Sequence, residues 1–123
     1  MGTIDNHIAH LDIELPEAAS PAANYVPYVK TSNIVFISGQ ITAWNGDLKF
    51  IGKLGSNFDT NEGYQAAQLC ALNLISQLRV ACKGNLDSVK RVVKLGGFVN
   101  STSEFTEQPQ VINGASDLMV KVF

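Results

Sequence analysis

Charge is scarce in this 123-residue chain: Asp, Glu, Lys and Arg together make up 16% of it, against 46% hydrophobic residues. So sparing a charged surface, with no low-complexity tract, implies more apolar surface than one small monomer can hide. The nine Lys and Arg are scattered singly and the net charge is −2. That balance speaks against a nucleic-acid partner, because displacing counterions from phosphates takes clustered basic side chains. The nearest thing to a cluster, Lys90, Arg91 and Lys94, reads as the solvated positions of a strand. Cysteine is nearly absent too. Cys70 and Cys82 fall within one expected helix, about 18 Å apart along its axis and beyond disulfide reach. Reduced thiols, and with them a cytoplasmic location, are the expectation. His7, His10 and two distant cysteines have no metal-ligand spacing, so neither a metal nor a cofactor is expected. No apolar run approaches the ~20 residues that span a bilayer. Met1 to His10 also lacks the basic-then-apolar plan of a secretory signal.

What remains is one domain over residues 1–123, long enough to bury a working core. Residues 10–15 alternate polar and apolar, as a half-buried strand does, and Pro16 to Ala23 reads as a loop. Tyr25–Lys30 and Asn33–Ile41 are β-rich runs joined tightly through Thr31-Ser32. In the second run Val35 and Ile37 point one way and Ile34, Phe36 and Ser38 the other, so both faces need covering. Asn45-Gly46-Asp47 is a turn. Asp59 with Glu62 three residues later predicts a capping box. Tyr64, Ala67, Ala71, Leu74, Ile75 and Leu78 then share one helical face, and Gly84 supplies the stop. Ser88 to Asn100 reads as a long strand, apolar on both faces, with Gly96-Gly97 marking a bulge or the close approach of another backbone. Pro109 suits the first turn of a second helix, whose stripe is Val111, Ile112, Ala115, Leu118, Met119 and Val122.

The expected order is therefore β-β-β-α-β-α, with both helices on one face of the sheet. The other face is apolar and nothing in the chain is left to cover it, which points to burial against copies of itself. Leu118 to Phe123 breaks off inside an apolar helix, leaving a place in the sheet where a final strand belongs; the expectation is a domain that lacks this C-terminal strand.

Tyr25-Val26-Pro27-Tyr28-Val29, a short turn, then Ile34-Val35-Phe36-Ile37-Ser38-Gly39-Gln40-Ile41 resembles the "P-Y … S-G-Q" signature of the RidA/YjgF family of enamine/imine deaminases. Asp87 to Lys94 and Gly97-Phe98-Val99-Asn100 resemble its "D-V-V-K … F-V" strand. The likeness runs over about residues 12 to 123. The versions at Ala18 to Tyr25 and Lys94 to Phe98 look like a divergent branch. The resemblance implies an α+β, chorismate-mutase-like fold: a mixed sheet with two helices on one face, three subunits closing into a barrel, and clefts between neighbours. It implies hydrolysis of reactive imines such as 2-aminoacrylate to ketoacid and ammonia, with an arginine fork on the substrate carboxylate and a glutamate positioning water. Tyr28 matches the cleft tyrosine and is the catalytic candidate. Ser38 and Gly39 match the substrate-binding wall, with Phe98 near the cleft. The family's arginine and glutamate lie past the helix on which this sequence stops, and Arg79 and Arg91 stand outside the motif.

Each of these residues also has a structural explanation. Tyr28 could be an amphipathic strand-edge aromatic, and Ser38 a small residue bonding to backbone. No histidine is placed as its base, which argues against a serine hydrolase. Cys70 has no cationic neighbour to lower its pKa. Three function classes stay open: a homotrimeric imine deaminase impaired in this form, a non-catalytic trimer binding small carboxylates or a partner, and an endoribonuclease or translation inhibitor. The acidic balance counts against the last.

Overall fold

The computed structural model describes residues 2–20 and 23–123. Pro21 and Ala22 of the expected loop lie outside the described residues. The elements are α1 (Thr3–His10), β1 (Tyr28–Thr31), β2 (Ile34–Ile37), β3 (Ala43–Trp44), β4 (Asp47–Leu48), α2 (Thr60–Ala81), a short 3-10 turn (Leu86–Ser88) and α3 (Gln108–Val122).

The opening helix corrects the expected strand at residues 10–15. Ile4 and Ile8 recur at helical spacing, and Ile8 is buried. The helix then ends in a Schellman motif: Asp12 is left-handed at φ 57°, its N–H donates to Ala9, and the Ile13 N–H reaches back to Ile8 at 3.1 Å. An alternating pattern that continues through a left-handed residue cannot be one strand. The N-terminus of α1 is capped from far along the chain. Asp87 accepts from the Thr3 N–H at 2.9 Å and the Ile4 N–H at 2.8 Å, satisfying two amides the helix leaves free. His7 Nε2 sits 2.8 Å from the Lys121 carbonyl oxygen near the end of α3, and Asp5 pairs with Arg79 at 3.6 Å.

The two hairpins follow their turn chemistry. β1 and β2 pair antiparallel from Tyr28↔Ile37 to Thr31↔Ile34, turning through Ser32-Asn33, with Ser32 left-handed at φ 52°. β3 and β4 close through Asn45 and Gly46, both at positive φ (48° and 91°), as a type I′ turn requires.

α2 begins with the expected capping box: Asp59 accepts from the Glu62 N–H at 2.8 Å and Glu62 accepts from the Asp59 N–H at 3.1 Å. Its end is again a Schellman motif, in which Lys83 takes the left-handed place ahead of Gly84. α3 lies across α2 at very close range. A β-carbon on Gly114 would overlap the Tyr64 carbonyl oxygen, and one on Gly63 would come within 2.8 Å of Val111. Tyr64 Oη donates to Asp117 at 2.7 Å across the same seam, a bond that raises the tyrosine's pKa. Ile75, Leu86, Leu118 and Val122 fill the core beside it; full burial of a side chain of that kind is worth about 1.5–3 kcal/mol.

The expected strand from Ser88 to Asn100 is the second correction. Residues 89–100 hold no ladder and the sheets are two antiparallel pairs, because a strand exists only where a second strand bonds to it. The segment is fixed at its far end, where the Leu54 N–H donates to Asn100 and the Thr102 N–H donates to Leu54, at 2.9 and 3.0 Å.

The Thr3 and Ile4 amides hold the Asp87 carboxyl below its ordinary value of 3.8. A depressed carboxylate stabilises the fold above its unfolded pKa and loses that contribution as pH falls through the lowered folded value. Asp87→Asn is therefore expected to melt earlier than the parent at neutral pH, with the gap closing below about pH 4. Melting curves across that range check it; a gap that persists unchanged in acid would remove Asp87 as the cap.

Candidate functional site

The open end of the β1–β2 hairpin gathers three of the four predicted residues. Tyr28 is the first residue of β1 and faces Ile37 across the ladder. One step past Ile37 the Ser38 N–H donates to Pro27 at 2.9 Å, and the Ser38 hydroxyl donates to the Val26 carbonyl. Ser38 is thereby spent on the neighbouring backbone, as its structural reading anticipates. Gly39 follows directly, and Gln40 turns back to donate from Nε2 to the Ser38 carbonyl at 3.0 Å.

Gly39 has no reason to be glycine within its own chain. Its φ is not left-handed, and a β-carbon there would meet no atom within 4 Å. Most of the other glycines answer to crowding or to φ, as Gly114 and Gly46 do, while Gly96 shares the open space and ordinary φ of Gly39. Glycine at an exposed, conformationally ordinary position permits close approach by something outside the chain, a ligand or another backbone. Among the described residues the Tyr28 hydroxyl bonds to no other side chain, so it too is free to meet a ligand.

Phe98 packs on nothing within its own protomer. Its side chain is fully exposed at 102%, so it touches no wall of the protomer. Two concave regions lie elsewhere: one of about 330 Å³ between Ile4, Arg91, Met119 and Phe123, and one of about 280 Å³ beside Asp5, Ile13 and Arg79. Within one chain the hairpin end is an open wall. Arg79 is engaged with Asp5 and Arg91 rims the first cavity, so neither serves the hairpin. His7 is held at Lys121, away from Ser38. Burial pushes the Cys70 thiol up, leaving it protonated and a poor nucleophile. Among the described residues no three His, Cys, Asp or Glu side chains gather as a metal site.

Sequence reasoning missed three polar side chains on α2 that hold backbone laid over the helix, one of which holds the segment after Gly39. Asn73, Ser76 and Gln77 are buried, and Asn73 Nδ2 donates to the Ala43 carbonyl at 2.7 Å. The only signal was their place on or beside the helix's apolar stripe, where a polar residue must find a partner.

This arrangement belongs to a recognisable class, a β-hairpin wall packed on a long helix with one apolar face uncovered. The chain matches the family described as "YjgF/chorismate mutase-like, putative endoribonuclease" over residues 5–123, and it belongs to that family. It is 47% identical over 122 residues to Protein TCP17 of Trypanosoma cruzi, covering 99% of this chain and 76% of that protein. Among solved structures it resembles Atu1372 of Agrobacterium tumefaciens, a protein of unknown function, at 40% identity and a TM-score of 0.86, covering 97% of this chain and 73% of that one. A protein of Shewanella oneidensis MR-1 described as a putative endoribonuclease matches at 36% identity and a TM-score of 0.94, covering 99% and 80%. Family membership and a mixed helix-and-hairpin fold of this type are thus in accord with the resemblance read from the sequence.

Gly39→Ala separates a ligand or subunit wall from an incidental glycine. Ordinary φ and open space predict that the folded protomer tolerates alanine or gains about 0.4–1 kcal/mol, while assembly or catalysis at the wall declines. A variant that melts as late as the parent and keeps full assembly and activity would show that Gly39 faces nothing.

Proposed function

We propose that the chain is a subunit of an enamine/imine deaminase, hydrolysing reactive 2-imino or 2-enamino acids such as 2-aminoacrylate to ketoacid and ammonia. The observation that carries the reading is Gly39: a glycine with no local need to be one, beside an unengaged tyrosine hydroxyl at the open end of the hairpin. In the proposed reaction, water adds to the imine carbon, the carbinolamine nitrogen takes a proton, and ammonia leaves as the carbonyl forms. Tyr28 supplies a hydrogen bond to the reacting group or its water, and the backbone at Gly39 lies against the substrate. The proposal assigns the carboxylate fork and the water-positioning acid to residues past 123, in keeping with the greater length of the relatives. A cytoplasmic location belongs to the same reading.

A trimer supports the site by closing it. The outward face of the hairpin carries Val29, Ile34 and Phe36, the last 60% exposed, and the open segment after α2 carries Val93 at 73% and Phe98. Exposed side chains of that size are costly in water, at roughly 25 cal/mol per Å², and mutual burial between copies removes the cost. The endoribonuclease reading is favoured by the words attached to the family and to the Shewanella protein. Against it stands a net charge of −2, which repels a polyanion. Salt-dependent RNA cleavage by a nuclease-free preparation would reverse that preference.

Three outcomes test the proposal. Light scattering is expected to show a stable trimer at micromolar concentration; a monomer would remove the basis for any site between subunits. Imine hydrolysis by the 123-residue form is expected to be no more than trace, whereas a form extended to the relatives' length turns over. In that longer form Tyr28→Phe slows hydrolysis while leaving the trimer intact, and Ser38→Ala does less. If both changes left turnover alone and shifted only melting, by about 1 kcal/mol for a lost hydrogen bond, the trimer would be a non-catalytic carboxylate- or partner-binding protein.

A further inference from the structure

Asn73, Ser76 and Gln77 are 5%, 4% and 3% exposed, a row of buried polar groups on α2 that the proposed chemistry does not use. Each is aimed at backbone carbonyls outside α2. Ser76 Oγ donates to Pro16 at 2.6 Å and Gln77 Nε2 to Ala19 at 2.6 Å. Asn73 differs from its neighbours in what it holds. Its single Nδ2 faces three carbonyls: Ala43 at 2.7 Å, Leu69 of its own helix at 3.2 Å and Ile41 at 3.3 Å. Ile41 and Ala43 are also the two ends of a tight turn, in which the Ala43 N–H donates to Ile41 at 2.9 Å.

The site segment is therefore fixed at two points. Upstream, Ser38 is tied to Val26 and Pro27 at the end of the hairpin ladder. Downstream, the next tie to the helical layer is Asn73. Between them, Gly39 is steadied only by the Gln40 side chain reaching back to Ser38. The direction in which the Gly39 backbone faces is then set by where Ile41 is held. The β3–β4 hairpin cannot substitute as an anchor. Two of its bonds, the Lys49 N–H to Thr42 and Thr42 Oγ1 to Lys49 at 2.7 and 2.6 Å, are internal to it. Asn73 apart, its other tie among the described residues, the Glu17 N–H to Asn45 Oδ1 at 2.7 Å, lies at the turn and reaches a loop rather than the helical layer.

We propose that Asn73 is a positioning residue for the Ser38–Gly39–Gln40 wall, acting through the carbonyls of Ile41 and Ala43. The inference rests on reading that wall as the substrate site, and it adds a residue one layer behind it. Ser76 and Gln77 provide internal controls, since each makes a comparably buried bond to an irregular carbonyl on a different stretch of chain.

The test, in the form extended to the relatives' length, compares Asn73→Ala with Ser76→Ala and Gln77→Ala by amide hydrogen exchange and by titration with pyruvate, the ketoacid product, followed at the Gly39 amide. Asn73→Ala is expected to speed exchange over residues 39–43 at least tenfold and to weaken pyruvate binding by a similar factor. Ser76→Ala and Gln77→Ala, at a comparable loss of melting temperature, should change neither. Unchanged exchange at residues 39–43 in Asn73→Ala would overturn the proposal, as would equal loosening of those residues in the controls. If Asn73→Ala does not fold, Asn73→Ser, which keeps one donor, carries the same comparison. Should the parent's Gly39 amide ignore pyruvate, the substrate-site reading falls, and the exchange data alone decide whether Asn73 orients the wall.

Discussion

The close crossing of α2 and α3 is the constraint on which the other layers depend. Gly63 and Gly114 let the helix backbones approach until a single β-carbon would collide. At that range Ala67, Ala71 and Ala115 mesh across the seam and Val111 and Leu118 fill it. Because the interior is packed to the density of a crystal, such a seam has little freedom to slide. α2 is thereby a rigid bar, with one side committed to α3. Its remaining surface meets the hairpins and the irregular segments at residues 16–19 and 41–43, whose carbonyls need donors and find them in Asn73, Ser76 and Gln77.

Irregular backbone on a helix is the harder half of this design. A β-ladder satisfies its own polar groups, and a loop laid on an apolar helix face does not. Placing amide and hydroxyl donors on the buried face of α2 resolves this without extending the sheet. It also leaves the hairpin's outer face unmodified, so the apolar side chains of Val29, Ile34 and Phe36 stay available for another surface. One helix thus serves two opposed needs, apolar packing toward α3 and hydrogen-bond supply toward the loops.

The elements legible in the sequence were those specified locally. The capping box at Asp59, the Asn45-Gly46 turn and the stripe of α3 each carry their signal within a few residues and formed where expected, and the β1–β2 hairpin formed with shorter strands and its turn one residue later, at Ser32-Asn33. α1 was not legible, because eight residues make a marginal helix alone and its cap, Asp87, stands 83 positions away from Ile4. Residues 89–100 read as a strand by pattern, yet pairing is a property of two segments and one sequence pattern cannot supply the second. For the candidate site, Tyr28, Ser38 and Gly39 were legible from their motif and do share one end of the hairpin. Phe98 came from the same resemblance and is fully exposed in the protomer. Asn73 was illegible for a different reason: a polar residue beside an apolar stripe reads as solvated until the carbonyls that cover it are known.

The tethers of α1 carry a consequence for the order of synthesis. His7 meets the Lys121 carbonyl across 114 positions of chain, and Asp87 must also exist before the helix has an N-terminal cap. A ribosome adding about 5–20 residues per second takes on the order of 5–25 s to make that intervening length. Throughout that time Ile4 and Ile8 have no core to enter, and the peptide is too short to hold a helix unaided. α1, translated before its partners, thus settles only after them. Its docking reports that both crossing helices are already in place, and until then the amino-terminal segment is the stretch most open to nascent-chain chaperones and proteases.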